Sequence, residues 1–496
     1  MLDDLLTFGN IIVFMFFVLC LVILVQGTKR PADIPPGPKS WIPLIGNLWE
    51  LRAGDPRVPF REWRKKYGDI YSLYFGNKLV IVICGYENIK EAFVKNGDVF
   101  SERPDLYIFR EISKGLGITS SSGHFWKEQR SFCLATLREF GFGKTSLEAK
   151  IEEEISPFLQ VLWESKSQPL DIRRMLQISI SNIICNMTFG HRFQYDNEEF
   201  LHSLQLIDDN FKVVGSMSAL NIFPILRFIP FDPFKIEMVR RNHTKIDEYF
   251  VKIIEEHKQN FDENNIADLT DAYLKRMKKH SDNPDTSYTD SQLLRVIEDF
   301  FVGGTETITT ALMWIFLYLL KFPEVQERMQ NEIDSVIGKH RPPSLKDRLS
   351  LVYTEAVIME TLRVANQPGV SGLPHGVSKD TYFHGYKIPK EAIVFGNLDT
   401  VMNDPIVWKN TENFEPSRFI DDKGMLIRPE EFIPFFIGRR VCPGESLARM
   451  ELFLFLTSIV QRFRITAPEN EELPSLTGTF GLGHHPKPYR LCLIPR

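Results

Sequence analysis

The chain has 496 residues, 43% hydrophobic and 25% charged, and its 59 basic against 64 acidic side chains leave a net charge of −5. That composition excludes a disordered or fibrous chain, and the lack of Lys/Arg blocks argues against nucleic acid as the main partner. The six cysteines (Cys20, Cys84, Cys133, Cys185, Cys442, Cys492) lie far apart without zinc spacing, so neither a disulfide framework nor a zinc site is expected.

Leu5 to Val25 runs without a charge, long enough to span a hydrocarbon core of about 30 Å. Asp3 and Asp4 stand where a secretory signal would be basic, so residues 5–25 read as an uncleaved transmembrane anchor rather than a cleaved signal. Lys29 and Arg30 follow it, which by the positive-inside rule directs the remainder to the cytosol. Residues 26–49, with Pro31, Pro35, Pro36, Gly37 and Pro38, read as a stiff basic and proline-rich hinge. Residues 50–496 read as one continuous globule.

Within it, Ile70–Phe75 and Leu79–Cys84 are β-rich runs joined by the hairpin signal Gly76-Asn77. Amphipathic helical patterns follow over His124–Glu139, Glu148–Trp163, Ile172–Phe189, Phe200–Val214, Phe234–Asn260, Ile266–Lys279, Ser291–Lys321 and Pro323–Ile337. Ile222–Phe234 is apolar but broken by three prolines, too short to span a bilayer; it is either a loop over the core or one that dips into a membrane surface. Phe300–Leu320 is charge-poor, yet Glu306 at its centre favours a core helix over a second span. Short strands are predicted at Val394–Gly396 and Arg490–Leu493. The fold class is therefore mainly α with a small β portion.

One cysteine stands apart. Cys442 lies in the turn-rich segment Pro434–Gly444, which leads into the apolar run Leu447–Leu456, so backbone N–H groups and a helix start near the sulfur favour its thiolate. Phe435, Gly438, Arg440, Cys442 and Gly444 fill every specified position of F-x-x-G-x-R-x-C-x-G, the haem-binding pattern of cytochromes P450. The chain resembles that family, and most nearly its microsomal family 2, judged from Trp126–Glu139, Gly303–Thr310 and Pro434–Phe455; the proline hinge is similar as well. The resemblance implies the cytochrome P450 fold, haem b as cofactor and Cys442 as the axial ligand of its iron.

Other segments fall in the order the resemblance requires. Glu360 and Arg363 form an E-x-x-R upstream of Pro416-Ser417-Arg418-Phe419, and the resemblance makes Glu360, Arg363 and Arg418 a buried structural triad. A second E-x-x-R, Glu237 to Arg240, lacks that context. Trp126 and Arg130 share a helix face and suit the haem propionates; the resemblance adds Arg103, His375 and Arg440. Gly303-Gly304-Thr305-Glu306-Thr307 resembles the family's oxygen-activating segment, with the glycines leaving room for small molecules, Thr307 hydrogen-bonding oxygen at the iron and Glu306 relaying protons. A threonine that only bonds its own helix is the plainer reading of Thr307. Ile308 in place of a second hydroxyl residue and Gly376 after His375 are small departures.

The implied function is monooxygenation of a lipophilic substrate (fatty acid, steroid or xenobiotic; hydroxylation or epoxidation) with electrons from NADPH through NADPH–cytochrome P450 reductase, and cytochrome b5 as a further candidate donor. Arg439 and Arg449 are candidate docking points for an acidic partner, or ordinary solvated surface. The implied location is the endoplasmic reticulum membrane. By resemblance the substrate pocket draws on Ile108–Thr119, Phe200–Val214, Phe300–Thr307, Pro368–Leu373 and Thr479–Leu482; Phe300, Phe301, Gly303, Gly304, Val370 and Phe480 predict an apolar cavity. Alternatives are an oxygen-independent isomerase or dehydrase of oxygenated lipids on the same fold, a haem sensor or carrier without turnover, and a structural membrane protein.

Overall fold

The computed structural model describes residues 13–18, 30–39, 45–51, 54–141, 146–214, 218–366, 369–481 and 483–496. The chain divides into two units, Met1–Pro104 with Leu373–Asn397, and Asp105–Gly372 with Leu398–Arg496. Within the anchor expected at 5–25 only Val13–Val18 are described, helical and exposed; the rest lies outside the described residues.

In the first unit, helix α1 (Arg57–Tyr67) precedes strands β1 (Ile70–Phe75) and β2 (Lys78–Cys84). Phe75 pairs with Lys78, which leaves Gly76-Asn77 as the two-residue turn, and Gly76 takes the positive φ (62°) such a turn needs. A second hairpin, β3 (Thr381–Phe383) with β4 (Tyr386–Ile388), leads to β5 (Ile393–Asn397). β5 pairs with β2 in parallel, giving the order β1-β2-β5. As the central strand, β2 is apolar without alternation, as burial on both faces demands. The proline segment is more than a spacer: Ser72 donates to Pro36 O at 2.7 Å from its N–H and to Pro35 O at 2.6 Å from its hydroxyl. A Cβ on Gly37 would stand 1.8 Å from Ser72 O. Prolines have free carbonyls although they lack donors, so the segment docks as an acceptor edge on β1.

The second unit is helical. It contains α2 (Tyr107–Ser113), α3 (Gly123–Glu139), α4 (Ser146–Glu164), α5 (Arg173–Phe189), α6 (Glu198–Val214), α7 (Ile236–Asn260) and α8 (Leu269–Lys279). It continues with α9 (Asp290–Lys321), α10 (Pro323–Val336), α11 (Val352–Ala365) and α12 (Glu445–Arg462). Two small antiparallel pairs complete it, β6 (Phe463–Thr466) with β9 (Cys492–Pro495) and β7 (Thr479–Phe480) with β8 (His484–His485). The terminal strand lies later than the expected Arg490–Leu493 because Leu491 bridges to Leu170 and Thr466 takes Cys492 as partner.

α9 is the axis of this unit. Thr289 caps it by accepting the Gln292 N–H, Pro323 opens the next helix, and α9 packs on α5, α7, α11 and α12. It is long and apolar enough to cross a bilayer, yet 72% of its most apolar window is buried within the chain, which makes it a core helix.

Candidate active site

The Cys442 loop is fixed by its backbone. Cys442 donates its N–H to Phe435 O at 3.0 Å, Val441 donates to Gly438 O at 3.1 Å, and Gly438 adopts a φ of 81° that only glycine takes at little cost. The N–H groups of Gly444 and Glu445, at the start of α12, lie close enough to the sulfur to favour its thiolate. Burial raises the thiol pKa, Glu445 adds to the rise, and these N–H groups with Arg130 pull it back. Cys442 is nonetheless exposed.

Around Trp126 two guanidinium groups gather. Arg440 lies 3.7 Å from the ring centroid and Arg130 at 5.9 Å. Arg440 donates to Ile118 O at 3.1 Å and Ser121 O at 2.6 Å, which leaves the buried cation tied to the loop before α3. Arg130 donates to Val441 O in the cysteine loop. The Trp126 indole N–H is buried with no acceptor among the described residues. A thiol with N–H groups close by, an orphan buried N–H and two guanidinium groups suit a metal-bearing group with anionic arms, and the residues present fit haem.

Arg103 and His375 belong to the first unit. Arg103 donates to Pro374 O at 2.8 Å, and His375 Nδ1 meets Phe100 O at 2.9 Å. A Cβ on Gly376 would stand 2.9 Å from the Arg103 carbonyl carbon, so close backbone approach accounts for the glycine after His375.

In the second unit the Glu360 carboxylate receives Arg363 Nε and Nη2 at 2.8 and 2.9 Å, and Arg418 Nε at 2.9 Å. Glu360 and Arg363 have no exposed surface. The other E-x-x-R is different: Arg240 meets Glu237 near the surface and also pairs with Glu111 at 2.7 Å.

Along α9, Gly303 and Thr307 are exposed and Phe300 half-buried, at helical spacing, although the flanking turns are buried. This stripe leaves one face of α9 uncovered by the rest of the described chain. Thr307 donates to Gly303 O at 2.7 Å. Glu306 faces the other way, buried, and accepts from Arg173 at 2.8 Å and from Gln177 at 2.7 Å. Arg173 also pairs with Asp208 at 3.2 Å. Val370 and Phe480 are half-buried, and Phe480 approaches the Cβ position of Gly369 to 3.9 Å.

Three expectations need correction. A Cβ on Gly303 would meet nothing within 4 Å, but one on Gly304 would lie 2.6 Å from Ile184 Cδ1, so Gly304 serves close packing of α9 on α5 instead of leaving room for a ligand. Phe301 is fully buried between Phe250 (5.2 Å) and Phe200 (6.3 Å), an interhelical core residue rather than a pocket wall. Arg449 is buried, paired with Glu445 and stacked near Phe435, so it offers no docking charge, whereas Arg439 is exposed. Pro368 and Leu482 of the expected pocket lie outside the described residues. Sequence reading missed Arg173 and Gln177, and also Asp299, which accepts the Ile118 and Thr119 N–H groups at 2.6 and 2.9 Å. The one available signal was an acid bordering the charge-poor stretch.

A mainly helical unit with a cysteine loop of this kind is the frame of a haem-thiolate oxidoreductase. The cytochrome P450 family pattern matches residues 35–493. The chain is 38% identical to cytochrome P450 2B2 of Rattus norvegicus over 480 residues, covering 96% of this chain and 97% of that protein. It is 39% identical to cytochrome P450 2C23 of Rattus norvegicus over 486 residues, 97% of each. Against cytochrome P450 2U1 of Homo sapiens it is 37% identical over 495 residues, 94% of this chain and 90% of that one. The chain belongs to the cytochrome P450 family. It is a monooxygenase of the family's haem-thiolate type, with the mainly helical P450 fold.

Proposed function

We propose that Cys442 is the thiolate ligand of the haem iron and that the enzyme inserts one atom of dioxygen into a lipophilic substrate, with electrons passed from NADPH through a membrane-bound reductase. The observation that carries this reading is exposed Cys442, its thiolate favoured by the nearby Gly444 and Glu445 N–H groups, in the loop that Arg130 ties down beside Trp126 and Arg440. Those N–H groups and Arg130 stabilise the thiolate over the thiol, and the indole N–H and guanidinium groups take the propionates. The bound haem supplies dioxygen binding and activation, driven by thiolate electron donation.

The remaining roles fall to the chain. Phe300, Val370 and Phe480 exclude water and favour apolar substrates. Thr307, accessible on α9, has a hydroxyl that now donates to Gly303 O and would be available as a proton donor on the haem side, and Glu306 with Arg173 would hold the proton supply behind it. Exposed Arg428 and Arg439 are suited to an acidic electron donor, the reductase or cytochrome b5. We place the enzyme on the endoplasmic reticulum membrane, anchored by residues 5–25. Exposed Ile225, Phe228 and Phe231 favour the reading in which the 222–234 loop rests in the membrane surface.

The reduced carbon monoxide difference spectrum of membrane-expressed protein tests the ligand. A strongly red-shifted Soret band, lost in Cys442→Ala, is expected. A folded, haem-loaded wild type without that band overturns the assignment. Thr307→Ala is expected to keep the band and NADPH oxidation while releasing peroxide in place of product; intact coupling would remove Thr307 from the relay.

A further inference from the structure

His484, on β8, is buried, and both of its ring nitrogens face backbone carbonyl oxygens. Nδ1 lies 2.5 Å from Ala365 O and Nε2 lies 2.8 Å from Thr477 O. Carbonyl oxygens only accept, and a neutral imidazole carries a single N–H, so in the neutral form one ring lone pair would face a carbonyl lone pair in a buried site. Both distances are satisfied together only when both nitrogens carry hydrogen.

The surroundings suit a cation. Ala365 is the last residue of α11, and its carbonyl is one of the unpaired acceptors at the negative end of the helix. Phe480 stacks on the imidazole at 4.4 Å with 10° between planes, and Trp314 of α9 lies at 4.7 Å. The Trp314 indole N–H donates to His484 O at 3.0 Å. Gly478, at a φ of 62°, is cut to this ring: a Cβ there would stand 2.6 Å from His484 Nε2 and 2.8 Å from Trp314 Cζ2.

We propose that His484 is held as an imidazolium and acts as a positioning residue, pinning the β7–β8 hairpin that carries Phe480 to the end of α11, from which the Gly369–Val370 turn departs. The charge thereby sets the distance between two walls of the substrate pocket, and this role rests on the reading above that Phe480 and Val370 line that pocket. Asn366 ties the same turn to the helix end, donating from Nδ2 to Gly369 O at 2.8 Å, so a shift at Ala365 is passed to Val370.

The adjacent His485, on the same strand, feels the charges of Glu306 on α9, Arg173 on α5, Asp208 on α6 and His484 itself. Burial lowers the pKa of His485, Glu306 and Asp208 oppose that, and Arg173 and His484 reinforce it. His485 Nδ1 meets Thr310 Oγ1 of α9 at 3.1 Å, and its lowered pKa favours the neutral form. Glu360 and Arg363 of α11 are committed to each other.

The test uses full-length, haem-loaded protein. 4-Phenylimidazole, which binds haem iron directly and fills the space above it, is titrated optically from about pH 7 to about pH 10, above the ordinary histidine range. In wild type its affinity is expected to fall about fivefold through a single ionisation, the loss of one hydrogen bond. His484→Phe, which keeps the stack and loses both donors, and His484→Gln, which keeps a donor, are expected to be flat with pH. At neutral pH the Gln variant should lie between wild type and Phe, with the carbon monoxide band unchanged in both. A flat wild-type profile, or one that persists in His484→Phe, overturns the proposal.

Thermal midpoints over the same range separate the two ideas. A protonated His484 stabilises the fold fully below its unfolded pKa of about 6.5, and that advantage over His484→Phe disappears as pH rises through the folded value. A midpoint difference that titrates while phenylimidazole affinity does not would leave the charge in place and overturn the pocket reading. No titration in either measurement overturns the charge itself.

Discussion

Two buried carboxylates in the helical unit are each paired with arginine, and they are built differently. Glu360 is saturated. Arg363 takes both of its oxygens, while Arg418 and the Glu415 N–H share Oε1. The arginines place their remaining donors on Met402 O, Thr411 O and Lys409 O. Glu306 is held by Arg173 and Gln177, but Arg173 keeps 27% of its side chain exposed and divides itself with Asp208. A saturated pair has one low-energy arrangement. A shared one has two, because Arg173 can favour either acid, so Glu306 is free to exchange partners where Glu360 is not. Glu451 on α12 marks the other extreme: among the described residues neither oxygen has a partner, and burial pushes its pKa well above the usual carboxylate range, which favours the neutral acid.

The largest effect should come from breaking the saturated site. Glu360→Gln strands two buried guanidinium groups and is expected to cost about 3–5 kcal/mol, enough to abolish haem-loaded protein. The reduced carbon monoxide band per milligram of membrane protein reads it, and near-normal yield would show that the triad is dispensable. Arg173→Ala should cost less, about 1–3 kcal/mol, because Gln177 remains and Arg173 was already part solvated. Here the carbon monoxide band should persist while product per NADPH consumed falls several-fold, with partial recovery in Arg173→Lys. If Arg173→Ala lost as much folded protein as Glu360→Gln, the two sites would be equivalent and the distinction would fail.

This contrast also divides what the sequence shows from what it hides. Glu360 with Arg363 and Trp126 with Arg130 are visible because they sit at helical spacings, where period alone puts two side chains on one face. The thiolate loop is visible because its glycines and cysteine are close in the chain. Arg173 reaches Glu306 across 133 residues, and no local pattern encodes a helix-to-helix contact of that kind. Gly304 shows the same limit from another side. A glycine in a helix reads as space for a ligand, but which neighbour fills the space is tertiary, and here Ile184 does. The hinge prolines, read as stiff spacer, dock because their carbonyls stay available to Ser72. Arg449 reads as surface until Glu445 and Phe435 enclose it.

Asp299 offers the finest test, a half-buried acid held by neutral N–H groups in place of arginine. Burial pushes its pKa up to about 6, while the Thr119 and Ile118 N–H groups oppose the shift. The folded chain therefore binds this proton more tightly than the unfolded chain, whose value is about 3.9, and stability falls as pH rises between the two. Asp299→Asn keeps an oxygen to accept both N–H groups and removes the ionisation. Its thermal midpoint should match wild type near pH 4, then exceed it by a margin that grows to about pH 6 and stays constant above, about 2–4 °C for a chain of this size. A margin independent of pH would place the titration elsewhere. Because Ile118 O also accepts from Arg440 at 3.1 Å, the Asn variant should hold that loop as wild type does and keep its carbon monoxide band at neutral pH. Asp299→Ala, which drops both N–H groups, should weaken the band even where its stability suffices to fold, and that divergence between Asn and Ala separates the effect of the charge from the effect of the acceptor.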